Sequence, residues 1–242
     1  WVYKIMVSAS KKENQNIYIL HTYPFKETSL IVEMLSKEFG RIAVAAKGAR
    51  RPRSSLRGML LPLQPLQATW SGLNELKTLH SIEWSDQFLS IEGDALICGF
   101  YLNELMMRLL PKDDPHPALY DHYHQAVLAL SKNKGLSVTL RRFELRLLQE
   151  LGYQVPLNND IHGRIIDFDK TYIYHADSGP LEGKGLEGSV EISGKTLIDM
   201  AADNYQDPLT EKQSKQLMRY LINHYIGDKP LHSKQLFMAA GE

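Results

Sequence analysis

Between Glu38 and Glu75 the chain carries six cations, Arg41, Lys47, Arg50, Arg51, Arg53 and Arg57, and no carboxylate. Five of them crowd the stretch KGARRPRSSLRGMLLP. A solvated helix face interleaves the two signs and a core strand holds neither, so this segment calls for anions from outside itself. Phosphates fit. Each phosphate that Lys or Arg neutralises releases counterions, and log affinity falls with log salt by about 0.9 per contact on duplex and about 0.7 on single strands. The plainer reading is a solvated basic loop paired with acids elsewhere. Such surface pairs contribute only about 0–1 kcal/mol each and give no reason for the clustering.

Ring side chains separate kinds of phosphate binder. Proteins that sequester single strands stack bases on Phe, Tyr and Trp, at about 1–3 kcal/mol per base. No aromatic lies between Phe39 and Trp70. A basic surface poor in rings holds backbones and leaves base edges free, which suits bringing strands together. Tyr23, Phe25 and Trp70 are the rings that folding could carry toward the cations.

Other reactive residue types are present without a usable pattern. His116, His122 and His124 crowd PHPALYDHYHQ, but on a helix the last two point about 200° apart and cannot grip one ion. Asp113 and Asp114 precede Pro115, as turn-forming residues do. His175, Asp177 and Ser178 are neighbours in one loop, whereas a triad needs groups converging in space. No GxGxxG is read as following a strand, and neither GxxxxGK[ST] nor GxSxG occurs. No catalyst is expected. A metal-dependent nuclease survives as a reading only on KDDPHP and the clustered histidines.

The elements that must position the cations are legible as a change of period. From residue 17 to about 83, short apolar and β-branched runs alternate with turn signals at Pro24, Gly40, Gly48, Pro52 and SGLN. Five strands are expected, IYILHTY, TSLIVEML, GRIAVAAKG, residues 59–70 and NELKTLHSIEW, which fit a small barrel. Leu76, Leu79 and Ile82 are not quite in phase, so a bulge is expected in the last strand. After Gly93 the pattern turns helical. GDALICGFYLNELMMRLL is apolar around most of its circumference, ALYDHYHQAVLAL follows, and SVTLRRFELRLLQELG ends at Gly152. On that third helix Leu140, Phe143, Leu147 and Leu151 share one face, opposite Arg142 and Arg146. Residues 153–193 are rich in Gly, Asn and Asp and read as short strands and loops. TEKQSKQLMRYLINHYIG is a final helix.

These blocks resemble the RecO family of bacterial recombination mediators. ETSLIVEMLSKEFGRIAVAAKGARRPRSSLRGMLLPLQPL, YLNELMMRLLP, LRRFELRLLQELGY and KPLHSKQLF carry the resemblance, in family order, from about residue 17 onwards. The first sixteen residues and residues 158–188 fit least well. The resemblance implies an α+β protein. An N-terminal OB-fold β-barrel (1–85) is followed by a helical domain (86–153), a small irregular insertion (154–193) and C-terminal helices (194–242). It implies a non-enzymatic role without cofactor. The protein would bind single- and double-stranded DNA and anneal strands coated by single-stranded-DNA-binding protein. With RecR it would help load RecA. Lys47, Arg50, Arg51, Arg53 and Arg57 become the expected DNA contacts, with Arg41 a weaker one. Arg141 and Arg142 in LRRFEL become the cations for the acidic, hydrophobic-ended tail of single-stranded-DNA-binding protein; the competing reading pairs them with Glu144 or Glu150. Some family members hold a four-cysteine zinc module after the third helix. Here that region offers only His162 and His175, so no structural zinc is expected.

The bulk numbers bound this reading. The chain has 242 residues, 43% of them hydrophobic, and 28 basic against 28 acidic side chains. With six cations in an acid-free segment, the remainder carries a balance of minus six. A neutral total thus hides two electrostatic territories. The single cysteine, Cys98, excludes an internal disulfide and sits in apolar DALICGFYL as a buried, inert thiol. WVYKIMVSAS has neither the basic start nor the apolar core of a secretory signal, and a reducing cytoplasm, at the nucleoid and away from membranes, is expected. The rival reading is a protein adaptor whose basic surfaces dock acidic partner tails, with DNA contact secondary.

Overall fold

A computed structural model describes residues 11–85, 87–185, 189–227 and 230–233. Most of the KPLHSKQLF block and the first ten residues lie outside the described residues. The chain forms two compact units, one of residues up to 92 with 103–131, the other of 93–102 with residues from 132 on.

The first unit is built on a closed barrel. Its strands are β1 (Lys12–Phe25), β2 (Ser29–Ser36), β3 (Gly40–Ala46), β4 (Leu66–Ser71) and β5 (Leu76–Trp84), in the order β1-β2-β3-β5-β4. All neighbours are antiparallel except β3 and β5. Alternation sends Ile17, Ile19, Val32, Met34, Ile42, Val44, Leu66, Trp70, Leu79 and Ile82 into one core. The expected bulge is present: Thr69 faces Ser81 and Trp70 faces Leu79, leaving His80 as the extra residue of β5. Two boundaries differ from expectation. Residues 59–65 are not strand: Pro62 and Pro65 lack the N–H that a ladder needs, and β4 starts only at Leu66. A short helix, α1 (Leu56–Met59), lies between β3 and β4 instead, with Leu56 and Met59 packed on the barrel core. β1 begins at Lys12, inside the polar stretch that resembled the family least, because Lys12 and Gln15 to Ile17 pair with β4.

The outward side of the barrel in this unit meets α3 (Pro117–Ser131) and the second half of α2 (Gly93–Leu109). Tyr18 sits among Tyr120 and Tyr123, with ring centroids 5.7 and 5.0 Å away, and bonds His124 Nδ1 at 2.6 Å. Asn103 Nδ2 donates to the Leu20 carbonyl at 3.0 Å while its Oδ1 accepts from Tyr123 Oη. Burial pushes the Tyr18, Tyr120 and Tyr123 hydroxyls above the ordinary tyrosine range.

The second unit holds the first turns of α2, α4 (Leu136–Glu150), α5 (Gly194–Ala201) and α6 (Pro208–Ile226). It also holds a three-stranded sheet, β7-β6-β8, from β6 (Thr171–His175), β7 (Gly179–Glu182) and β8 (Val190–Ser193). Among its described residues the Gly-rich region therefore forms a sheet and turns. α4 stops where Gly152 adopts φ +82°, with Gly152 N–H bonded to Gln149 O and Tyr153 N–H to Leu148 O. α6 starts on Asp207, whose carboxylate accepts from Leu209 and Thr210 N–H, followed by Pro208.

Candidate nucleic-acid interface

The cationic stretch leaves β3 at Ala46 and becomes a series of tight turns. Gly48 takes φ +71°, the left-handed conformation that a residue with Cβ resists. Arg51 N–H bonds Gly48 O at 3.1 Å and Ser54 N–H bonds Arg51 O at 3.0 Å. Buried Ala49 pins one end, and Leu56, Met59 and buried Leu60 pin the other. Anchored at both ends, the segment turns the side chains of Lys47, Arg50, Arg51, Arg53 and Arg57 outward, and all five are exposed. Among the described residues none of the five forms an ion pair, although other cations of the chain do.

A sixth cation joins them that the sequence reading missed. Arg50 N–H bonds Thr28 O at 2.9 Å and its guanidinium donates to Lys26 O at 3.2 Å. The turn between β1 and β2, with exposed Lys26 and Glu27, therefore lies against the loop. The signal was topological: in a three-stranded meander the first turn stands beside the exit of the third strand, and Leu30 indeed pairs with Ala46.

Arg41 differs from the five. Its side chain is only 13% exposed, lies 3.9 Å from buried Glu33 and donates to Met107 O at 3.0 Å. Lys112 bonds Glu75 at 2.7 Å, holding that exposed carboxyl below its usual range, and reaches Glu33 at 3.6 Å; Lys77 bonds Asp113. Arg41 thus sits in a structural charge cluster and offers no free guanidinium. Among the rings, Trp70 is 1% exposed and packs edge-on to Phe39 in the core, so it cannot receive a base. Tyr23 is exposed beside His21, and Phe25 lies under Lys26 Nζ at 5.3 Å.

The two arginines of LRRFEL part company. Arg141 and Glu144 are 8% and 1% exposed and bond each other at 2.6 Å, while Tyr101 Oη donates to the same carboxylate oxygen at 2.5 Å. Burial pushes the Glu144 carboxyl above its usual range, and the Arg141 guanidinium opposes that shift. Arg141 is therefore enclosed and not presented to a partner, because α4 is buried around most of its circumference. Arg142 is half exposed and bonds Asp203 at 2.6 Å. Exposed Arg146, one turn on, borders a cavity of about 270 Å³ lined also by Leu145, Val155, Leu157 and Met200.

No constellation for catalysis assembles among the described residues. Among the described residues no group of three or more His, Cys, Asp or Glu is placed to hold a metal ion. His175, Asp177 and Ser178 do not form a relay, since Asp177 bonds His224 at 2.9 Å. Asp113, at φ +56°, and Asp114 form a turn against Gly40. In the region of His162, the Asp160 carboxylate organises the chain, accepting from His162 N–H, Arg164 N–H and the Arg164 guanidinium. GKGLEG (183–188) does have the GxGxxG spacing directly after β7, contrary to expectation, but the next described element is a strand, β8, where a dinucleotide fingerprint opens a helix. Burial raises the Cys98 thiol to about 11, consistent with an inert thiol. No helix among the described residues is long and apolar enough to cross a membrane.

Comparison with known proteins gives matches over nearly the whole chain. The family model described as Recombination protein O N terminal matches residues 11–88, and that described as Recombination protein O C terminal matches residues 92–235. A DNA repair protein RecO of Nitrosospira multiformis is 49% identical over 233 residues, covering 95% of this chain and 96% of that protein. Proteins of the same name from Dechloromonas aromatica and an Azoarcus species are 44% and 45% identical, each covering at least 94% of this chain and 96% of the relative.

Proposed function

The chain belongs to the recombination protein O family, and from that premise we propose that it is a non-enzymatic, DNA-binding recombination mediator acting in the cytoplasm. It binds single and double strands through Lys47, Arg50, Arg51, Arg53 and Arg57, with Lys26 beside them, and anneals complementary strands coated by single-stranded-DNA-binding protein. With RecR it helps load RecA. The observation that carries this reading is the exposure of five cations with no carboxylate partner among the described residues. Phosphate contacts position a strand without reading its bases, and the loop carries no ring to hold a base back from pairing.

Docking of the acidic tail falls to the exposed side of α4. Arg142 and Arg146 supply the cations, and the neighbouring cavity receives the apolar end of the tail. Arg141 serves that site only indirectly, by neutralising Glu144 beneath it.

The decisive variant is R50E/R51E/R53E. Its side chains are exposed, so its thermal melting stays within a degree or two of the parent. Annealing of complementary oligonucleotides slows at least about tenfold at physiological salt. A folded triple variant that anneals at the parental rate would remove the loop from DNA binding and leave the adaptor reading in its place.

A further inference from the structure

We infer that the exposed stripe of α6 formed by Lys212, Lys215 and Arg219 is a second phosphate-binding track, which holds a second DNA strand. The inference rests on the DNA-binding reading above and adds a site to it.

The stripe arises from helical register. Residues three and four apart share a face, so Lys212, Lys215, Gln216, Arg219 and Asn223 form one row, and all are exposed. The other side of α6, with Ser214, Leu217, Met218, Leu221 and Ile222, is buried and fixes the helix in place. At about 1.5 Å per residue, Lys212 to Arg219 spans roughly 10 Å, about the rise of three phosphates along one strand of a duplex.

The sign pattern repeats that of the loop. From Lys212 to Gly227 there is no carboxylate. Among the described residues none of the three cations forms an ion pair; of the other exposed cations of the same unit, Arg142, Arg164 and Lys170 are paired, with Asp203, Asp160 and Glu182, while Lys132, Lys134, Arg146 and Lys184 are not. Gln216 and Asn223 add amide donors for phosphate oxygens without adding charge. An acidic peptide would also meet this charge, but between Lys212 and Asn223 no exposed apolar side chain could bury a hydrophobic end; exposed Leu209 lies one turn earlier. The row therefore fits a sugar–phosphate backbone better than a tail. Annealing brings two strands together, and the loop offers a track for one.

The test uses two oligothymidylates that cannot pair, one carrying a donor dye and the other an acceptor. The full-length protein brings them together and energy transfer appears. K212E/K215E/R219E, still folded by thermal melting, binds one oligothymidylate by anisotropy within about twofold of the parent but loses at least about fivefold of the transfer. Transfer at the parental level in this variant overturns the inference, including the case where two copies each bring one strand. So does intact transfer with weakened binding of an acidic tail peptide, which would make the row a protein-docking surface. R50E/R51E/R53E separates the premise: if it binds the single oligothymidylate like the parent, the loop reading fails, whatever α6 does.

Discussion

Adjacent residues with the same side chain have opposite fates in this protein. Arg141 is locked to Glu144 inside the second unit, and Arg142 meets solvent. Removing one partner of a buried ion pair leaves an uncompensated charge, so Arg141→Ala destabilises by about 3–5 kcal/mol, whereas Arg142→Ala costs less than about 1 kcal/mol. The pH dependence follows from Glu144. Its folded carboxyl lies above the ordinary range, so between the unfolded and folded values the folded state binds the extra proton. Stability is then lost as pH rises through that window. Without Arg141 the carboxyl shifts further up and the window widens. The Arg141→Ala defect in denaturant melts is therefore largest at neutral pH and shrinks as pH falls toward 4.5. A defect of equal size at both pH values would show that the pair carries no charge burial.

At the level of elements, turns and caps decide where the cations stand. Two glycines in left-handed backbone illustrate how different the demands are. Gly152, at φ +82°, closes α4 with open space around it, while a Cβ on Gly40, at φ +66°, would lie 2.0 Å from the Asp114 carbonyl oxygen. Gly152→Ala costs about 1–2 kcal/mol, the intrinsic left-handed penalty. Gly40→Ala costs more, since backbone must also move, and thermal melting of the two variants ranks them. The same elements show where local signals mislead. The five barrel strands and all four of the longer helices were legible from period and punctuation. The strand expected over residues 59–70 was not strand until Leu66, because two prolines outweighed its apolar composition. α5, only eight residues long, has too few turns to advertise a helical period.

Across the whole molecule, neutrality is an average over unlike regions. A chain of net charge zero has no overall pull on a polyanion, yet a local cationic surface steers association and responds to salt. Five single-strand phosphate contacts predict a slope of log affinity against log salt of roughly −3.5, and replacing Arg50, Arg51 and Arg53 by Gln flattens it by about 2. A titration of oligothymidylate binding between low and high salt measures both. An unchanged slope in the Gln variant would mean that these arginines meet no phosphate.

The segregation of charge, the switch from strands to helices near Gly93 and the resemblance that led to the family are all legible in the linear chain. All three depend on composition and local period, which need no knowledge of distant contacts. Which cations are free follows from the fold. Arg41 is occupied by Glu33 and Met107, Trp70 by the barrel core, and Arg141 by Glu144 and Tyr101, while Lys26 reaches the loop through the pairing of β2 with β3. Exposure depends on residues brought together from far apart in the chain, and a linear pattern does not contain those meetings.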